Sequence, residues 1–111
     1  KGKDSLNKLK QVIEYIHIHY PESIALQTLS EICFMSPNYF CHYFKQEIGK
    51  TPVSFINEYR IEKACEMLSE SELPVFEIAL SVGFDNFSYF IRKFREYKGV
   101  SPKKYRLLCL K

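Results

Sequence analysis

Apolar residues recur at helical spacing along the whole chain, and no stretch alternates as a half-buried strand would. Leu6, Leu9, Val12 or Ile13, Ile16 and Tyr20 form one stripe, with Lys8, Lys10 and Glu14 on other faces. Asp4 or Ser5 is placed to cap this first helix, and Pro21 ends it. A second, short helix is predicted over 24–33, with Leu26, Leu29 and Ile32 inward. Ser36 as N-cap and Pro37 at the first helical position then open a third, over 37–48, which Gly49 closes. Phe40 and Phe44 turn inward there, while Asn38, Cys41, His42 and Lys45 share an outward stripe. Thr51-Pro52 repeats the starting device for a fourth helix, to about residue 69, with Phe55, Ile56, Tyr59, Ala64, Met67 and Leu68 as packing positions. Val75, Ile78, Ala79 and Val82 mark a fifth, over 74–82. Gly83 supplies a turn and Asn86 an N-cap for the sixth, 87–98. Its apolar stripe is Phe87, Phe90 and Phe94, and Ser88, Ile91, Arg92 and Arg95 lie on another. Ser101-Pro102 starts a seventh helix, carrying Tyr105, Leu108 and Cys109.

The two halves superpose when the sequence is shifted by fifty residues. Phe34 meets Phe84, Ser36 meets Asn86, Tyr39-Phe40 meets Tyr89-Phe90, Phe44 meets Phe94, Lys45 meets Arg95, Gly49 meets Gly99, and Thr51-Pro52 meets Ser101-Pro102. Buried and capping positions therefore match in kind. The outward ones differ: Asn38 against Ser88, Cys41 against Ile91, His42 against Arg92. Each half is a short helix, a turn and an amphipathic helix, the anatomy in which the second helix reads the major groove. The fourth helix, at about 1.5 Å per residue, spans about 27 Å. Two reading helices joined by it can serve grooves about one DNA turn, ~34 Å, apart.

Charge sharpens this picture. The net charge is only +3, but from Arg92 to Lys111 eight cations face one acid, Glu96, so this end carries +7 and residues 1–91 carry −4. Such an end suits an oriented contact with a polyanion. At 46% hydrophobic residues over 111 positions, a packed core is available to one domain or two small ones. Cys33, Cys41, Cys65 and Cys109 form no C-x-x-C pair and no zinc-ligand spacing. Cys33, Cys65 and Cys109 sit among apolar neighbours and are read as small hydrophobes in a reducing, cytoplasmic setting. His17 and His19, two apart, cannot face one another on a helix, so no metal site is expected. There is no signal peptide and no apolar run long enough to span a membrane. No nucleophile sits with a base, no carboxylate pair is placed for catalysis, and no glycine-rich phosphate loop or other cofactor motif occurs. Cys41 and His42, adjacent on a helix, point about 100° apart. The sequence reads as a binding protein without a cofactor rather than an enzyme.

Several of these residues resemble the signature of the arabinose-regulator (AraC/XylS) family of bacterial transcription factors. They are Arg60-Ile61 with Ala64 and Leu68, Ile78-Ala79, Val82-Gly83-Phe84, Phe90, Phe94, Gly99-Val100-Ser101-Pro102 and Tyr105-Arg106. The resemblance runs from about Leu6 to Arg106. It implies an all-α fold of seven helices: two homeodomain-like helix-turn-helix subdomains, at 6–51 and 71–111, joined by a linker helix at 52–70, with residues 1–5 as a preceding linker. It also implies promoter binding, with activation or repression of transcription. Carried over by position, Asn38, Tyr39, Cys41, His42 and Lys45 on the first reading helix, and Asn86, Ser88, Tyr89, Arg92, Lys93 and Arg95 around the second, are the expected DNA contacts. Arg92 suits guanine O6/N7 and Asn38 suits adenine. Tyr39 or Tyr89 can donate to a phosphate, and Lys93 and Arg95 lie nearer the backbone. Cys41 departs from the family, many of whose members place a longer polar side chain there. A thiol can touch a thymine methyl or nothing. The resemblance further implies a separate N-terminal regulatory or receiver domain, as in response regulators. The competing reading is a helical protein-interaction module that presents Arg92, Lys93 and Arg95 to an acidic partner such as RNA polymerase.

Overall fold

A computed structural model describes residues 2–110 of the chain. The described residues form α1 (Gly2–His19), α2 (Leu26–Ile32), α3 (Pro37–Ile48), α4 (Pro52–Glu70), α5 (Val75–Ser81), α6 (Phe87–Lys98) and α7 (Pro102–Leu108), with no strand among them. The seven expected helices are present. α1 begins earlier than a cap at Asp4 or Ser5 allows. Asp4 instead lies in its first turn, where a carboxylate is favoured by the helix dipole. α2 is shorter than expected, because Ala25 occupies its N-cap and its last turn closes at Cys33.

The chain divides into two compact units, Lys1–Ile56 and Asn57–Lys111. In unit 1, Leu9, Val12 and Ile16 of α1 are buried with Leu29, Cys33, Phe40, Phe44 and Ile56. In unit 2, Ile61, Ala64, Cys65 and Leu68 of α4 are buried, as are Ile78, Ala79, Val82, Phe84, Phe90 and Phe94. Each fully buried phenylalanine contributes on the order of 1.5–3 kcal/mol by leaving water. The division falls inside α4. Its first turns close unit 1: Phe55 meets Phe44 edge to face at 5.5 Å and 78°. In unit 2 the same closure comes from α7, where Tyr105 meets Phe94 at 5.7 Å and 78°. Pro52 and Pro102 are buried at the two matching helix starts.

The caps that frame α3 and α6 are also duplicated. Ser36 Oγ accepts from the Tyr39 amide at 3.2 Å, and Asn86 Oδ1 accepts from the Tyr89 amide at 2.9 Å. Gly49 (φ 94°) and Gly99 (φ 79°) end the helices in the left-handed conformation, each amide donating at 2.8 Å to the carbonyl of Lys45 or Arg95. Thr51 and Ser101 then cap α4 and α7, each accepting at 3.1 Å from the amide three residues on.

The turns that lead from α2 into α3 and from α5 into α6 depart from the uniform repeat. Four residues (33–36) separate α2 from α3, and five (82–86) separate α5 from α6. The short helices end in the same motif: Met35 N–H donates to Ser30 O at 3.0 Å, and Phe84 N–H to Ala79 O at 2.9 Å. Phe84 therefore corresponds to Met35, and the left-handed residue is Phe34 (φ 56°) in unit 1 and Gly83 (φ 109°) in unit 2. The expected match of Phe34 with Phe84 is thus an accident of the shift. Phe34 is 82% exposed, with Lys8 Nζ 4.8 Å from its ring centroid, whereas Phe84 is buried.

Four further side chains fall outside their expected positions. Leu6 and Leu108 are exposed, as is Cys109, which is therefore not a core thiol. Phe87 is 37% exposed, with its ring 5.5 Å from that of Phe76 and 6.2 Å from that of Phe90, so it packs at the edge of the core that Phe90 and Phe94 enter.

Candidate nucleic-acid interface

The alternation of buried and exposed positions along α3 and α6 places the outward stripes where the repeat puts them. Phe40 and Phe44 are wholly buried on α3, and Phe90 and Phe94 on α6. Asn38, Tyr39, His42 and Lys45 are exposed and Cys41 is half-buried. In unit 2, Asn86, Ser88, Arg92 and Arg95 are exposed, while Tyr89, Ile91 and Lys93 are half-buried.

Each stripe lines a shallow, open hollow. In unit 1 the lining is Cys41, His42, Lys45, Gln46 and Thr51. In unit 2 it is Ser88, Ile91, Arg92, Arg95 and Glu96. Four of these positions correspond pairwise at the fifty-residue offset: 41 with 91, 42 with 92, 45 with 95 and 46 with 96. A second hollow in unit 2 runs from Arg95 past Gly99, Val100 and Ser101 to Lys104. Gln46, Thr51, Glu96, Ile91, Gly99, Val100, Ser101 and Lys104 line these hollows but were not among the expected DNA contacts. The repeat carried the signal for the first three, since residues 46 and 96 occupy one position and Thr51 matches Ser101.

Local contacts fix several of these groups. His42 Nδ1 lies 3.1 Å from Asn38 O. A carbonyl only accepts, so Nδ1 carries the hydrogen and Nε2 is left as an acceptor while the ring is neutral. Lys93 Nζ pairs with Glu96 Oε1 at 3.1 Å, so part of its charge is answered within the helix. Arg92 Cζ stands 5.1 Å and Lys93 Nζ 5.5 Å from the Tyr89 ring centroid, within cation–π range. The Tyr89 hydroxyl accepts from Asn57 Nδ2 at 2.8 Å. Asn86 spends its side-chain oxygen on the cap, which leaves its NH₂ for other partners.

Behind the stripe of unit 2, charged side chains tie α6 and α7 to α4. Lys98 Nζ meets Glu62 Oε2 at 2.6 Å, and this hydrogen bond raises the ammonium pKa above its ordinary value. Arg106 donates from Nε to Leu68 O at 3.0 Å and from Nη2 to Ser71 O at 3.1 Å, satisfying carbonyls at the end of α4. Burial lowers the Arg60 guanidinium pKa, against the opposing pull of Asp85 and Tyr89. Burial, with a hydrogen bond to Cys65, pushes the Tyr105 phenol up to about 12. Among the described residues no group of three or more His, Cys, Asp or Glu side chains is placed to hold a metal ion. No helix among them is long and apolar enough to cross a membrane.

Comparison with known proteins agrees with this geometry. Residues 29–107 match the family described as a helix-turn-helix domain. The chain is 35% identical to the C-terminal domain of the two-component response regulator yesN from Fusobacterium nucleatum, covering 90% of this chain and 98% of that one with a TM-score of 0.84. It is 28% identical to the DNA-binding domain of the global transcriptional factor AdpA, solved in complex with a target DNA, covering 90% of each chain with a TM-score of 0.84. It is 30% identical over 93% of its length to the arabinose operon regulatory protein of Escherichia coli K12, of which it covers 36%. The chain spans about a third of the length of the curated relatives it matches. The chain belongs to the helix-turn-helix domain family, as a DNA-binding domain of the arabinose-regulator (AraC) type found in transcription regulators.

Proposed function

We propose that α3 and α6 are both reading helices and that they enter successive major grooves of promoter DNA. The observation that carries this is the pair of matched hollows: one scaffold position in each unit, lined by different chemistry. Matching buried phenylalanines with unlike exposed stripes are what two readers of two half-sites require. Arg92 is the guanine reader of unit 2, through a bidentate contact to O6 and N7. Asn38 and His42 read bases in unit 1, and Cys41 and Ile91 offer apolar contact to thymine methyls. Lys45, Lys93 and Arg95 face phosphates, as do the Asn86 amide and the Tyr39 and Tyr89 hydroxyls, and Ser88 meets either base or backbone. α4, with nineteen residues, extends about 28 Å at ~1.5 Å per residue, a length suited to half-sites about one turn apart.

This is a binding role without catalysis of its own, exercised in the cytoplasm. The full-length protein joins this domain to a regulatory or receiver domain, and its output is delivered through RNA polymerase. Electrophoretic shifts with a selected duplex test the assignment. Lys45→Ala weakens binding to all sequences alike and lowers the salt slope by about 1. Arg92→Ala costs discrimination at one base pair. If neither substitution alters binding to any duplex, the DNA-reading assignment is wrong.

A further inference from the structure

One buried polar contact reaches a reading helix from behind. Asn57 is 5% exposed and lies on the same helix as the buried Ile61, Ala64, Cys65 and Leu68. Burying a carboxamide is unfavourable unless it is hydrogen-bonded, and leucine would fill a similar volume without that requirement. The Asn57 Nδ2 group donates to Tyr89 Oη at 2.8 Å. The Tyr89 ring also packs on Phe84, with centroids 6.1 Å apart at 47°. Arg92 and Lys93 then lie within 5.1 and 5.5 Å of that ring. Resting on α6 as a groove-reading helix, we propose that Asn57 is a positioning residue for base recognition. It fixes Tyr89 from α4, and the fixed ring is the rail that holds Arg92 and Lys93 in place before DNA arrives.

The physical gain is preorganisation. Arginine and lysine are rich in rotamers and lose that freedom on binding, and a ring that holds them beforehand reduces the loss at the moment of contact. The donated bond occupies one lone pair of the tyrosine oxygen and leaves the phenolic hydrogen to donate elsewhere. The matching tyrosine of unit 1 is not enclosed in this way. Tyr39, the counterpart of Tyr89, is 61% exposed. Unit 2 is accordingly the stringent reader and unit 1 the adaptable one.

The test measures binding of this chain to a selected duplex and to variants changed at the base pair facing Arg92. The readout is the ratio of the two dissociation constants, which cancels any phosphate contact made by Tyr89. Asn57→Ala and Tyr89→Phe each lower that ratio by about two- to tenfold, the range of one hydrogen bond's net worth. The double variant lowers it no further than the worse single one, because both remove the same bond. Ratios at base pairs facing unit 1 stay unchanged. Tyr89→Phe keeps the ring and remains informative if Asn57→Ala fails to fold. A loss spread evenly over all base pairs, additive losses in the double variant, or an unchanged ratio would each overturn the proposal. Arg92→Ala separates the two levels. If it flattens the ratio and the Asn57 and Tyr89 variants do not, only the positioning role fails. If Arg92→Ala leaves the ratio intact, the reading helix assignment fails and this inference with it.

Discussion

Units 1 and 2 share a framework and differ in how they stiffen it. Both bury two phenylalanines four residues apart on the reading helix, cap that helix with a side-chain oxygen, end it on a left-handed glycine, and close it with an aromatic ring edge-on. Unit 2 adds the Lys98–Glu62 pair, the two bonds from Arg106 and the Asn57–Tyr89 bond, and uses glycine where its turn is left-handed. Unit 1 places an exposed phenylalanine at that turn and leaves Tyr39 at the surface. Duplication has thus kept what packs the helix, while the groups that orient its outer face have diverged.

The largest expected effect strikes the shared part. Phe44→Ala and Phe94→Ala each remove a wholly buried ring and should cost about 3–5 kcal/mol, measured by urea unfolding. A loss near 1 kcal/mol at one site alone would show that the two cores are not equivalent. Next come the proposed readers. Arg92→Ala and His42→Ala should each cost about 1–3 kcal/mol at one base position, in different half-sites, as titrations against single-base variants would show.

The turns give a smaller and oppositely signed pair. Gly83→Ala forces a side chain into φ 109° and should cost about 1–2 kcal/mol. Phe34→Gly removes the same strain from unit 1, less the glycine entropy of about 0.5–1 kcal/mol, and should leave the melting temperature equal or slightly raised. A marked loss in Phe34→Gly would mean that the exposed ring and Lys8 hold unit 1 together.

The smallest effect lies at high pH. The Tyr105 phenol, ordinarily near 10, is raised to about 12 in the folded protein. Its contribution is therefore fully present below pH ~10 and is lost as pH rises toward 12, because the unfolded state releases the proton first. Lys98, also raised, acts in the same direction above its ordinary value. Urea midpoints followed from pH 9 to 12 should fall less steeply in Tyr105→Phe than in the parent. Parallel curves would remove the burial of that phenol from the account.

Much of this was legible in the sequence, for physical reasons that differ by residue. Ser36-Pro37, Thr51-Pro52, Ser101-Pro102 and the glycines at 49 and 99 announce helix ends, because capping needs few residue types. Phe40, Phe44, Phe90 and Phe94 announce the core through their spacing. The extra residue in the second turn was hidden, because phenylalanines at 34 and 84 matched by identity while the backbone placed them at different points of the motif. Phe87 carried the right spacing but sits at the edge of the core, against both Phe76 and Phe90. Asn57 showed no sign of its role, since its partner lies thirty-two residues away and only packing brings the two together. Of the interface, the outward stripes were readable from helical periodicity, whereas the hydrogen-bonding that orients Tyr89 and His42 was not.

The central claim is that one chain carries two separate readers. Selection of bound duplexes from a random pool, run in parallel with the parent, His42→Ala and Arg92→Ala, tests it most directly. Two enriched blocks with centres about ten base pairs apart are expected, one relaxed by His42→Ala and the other by Arg92→Ala. A single block weakened by both substitutions, or no enrichment at all, would contradict it.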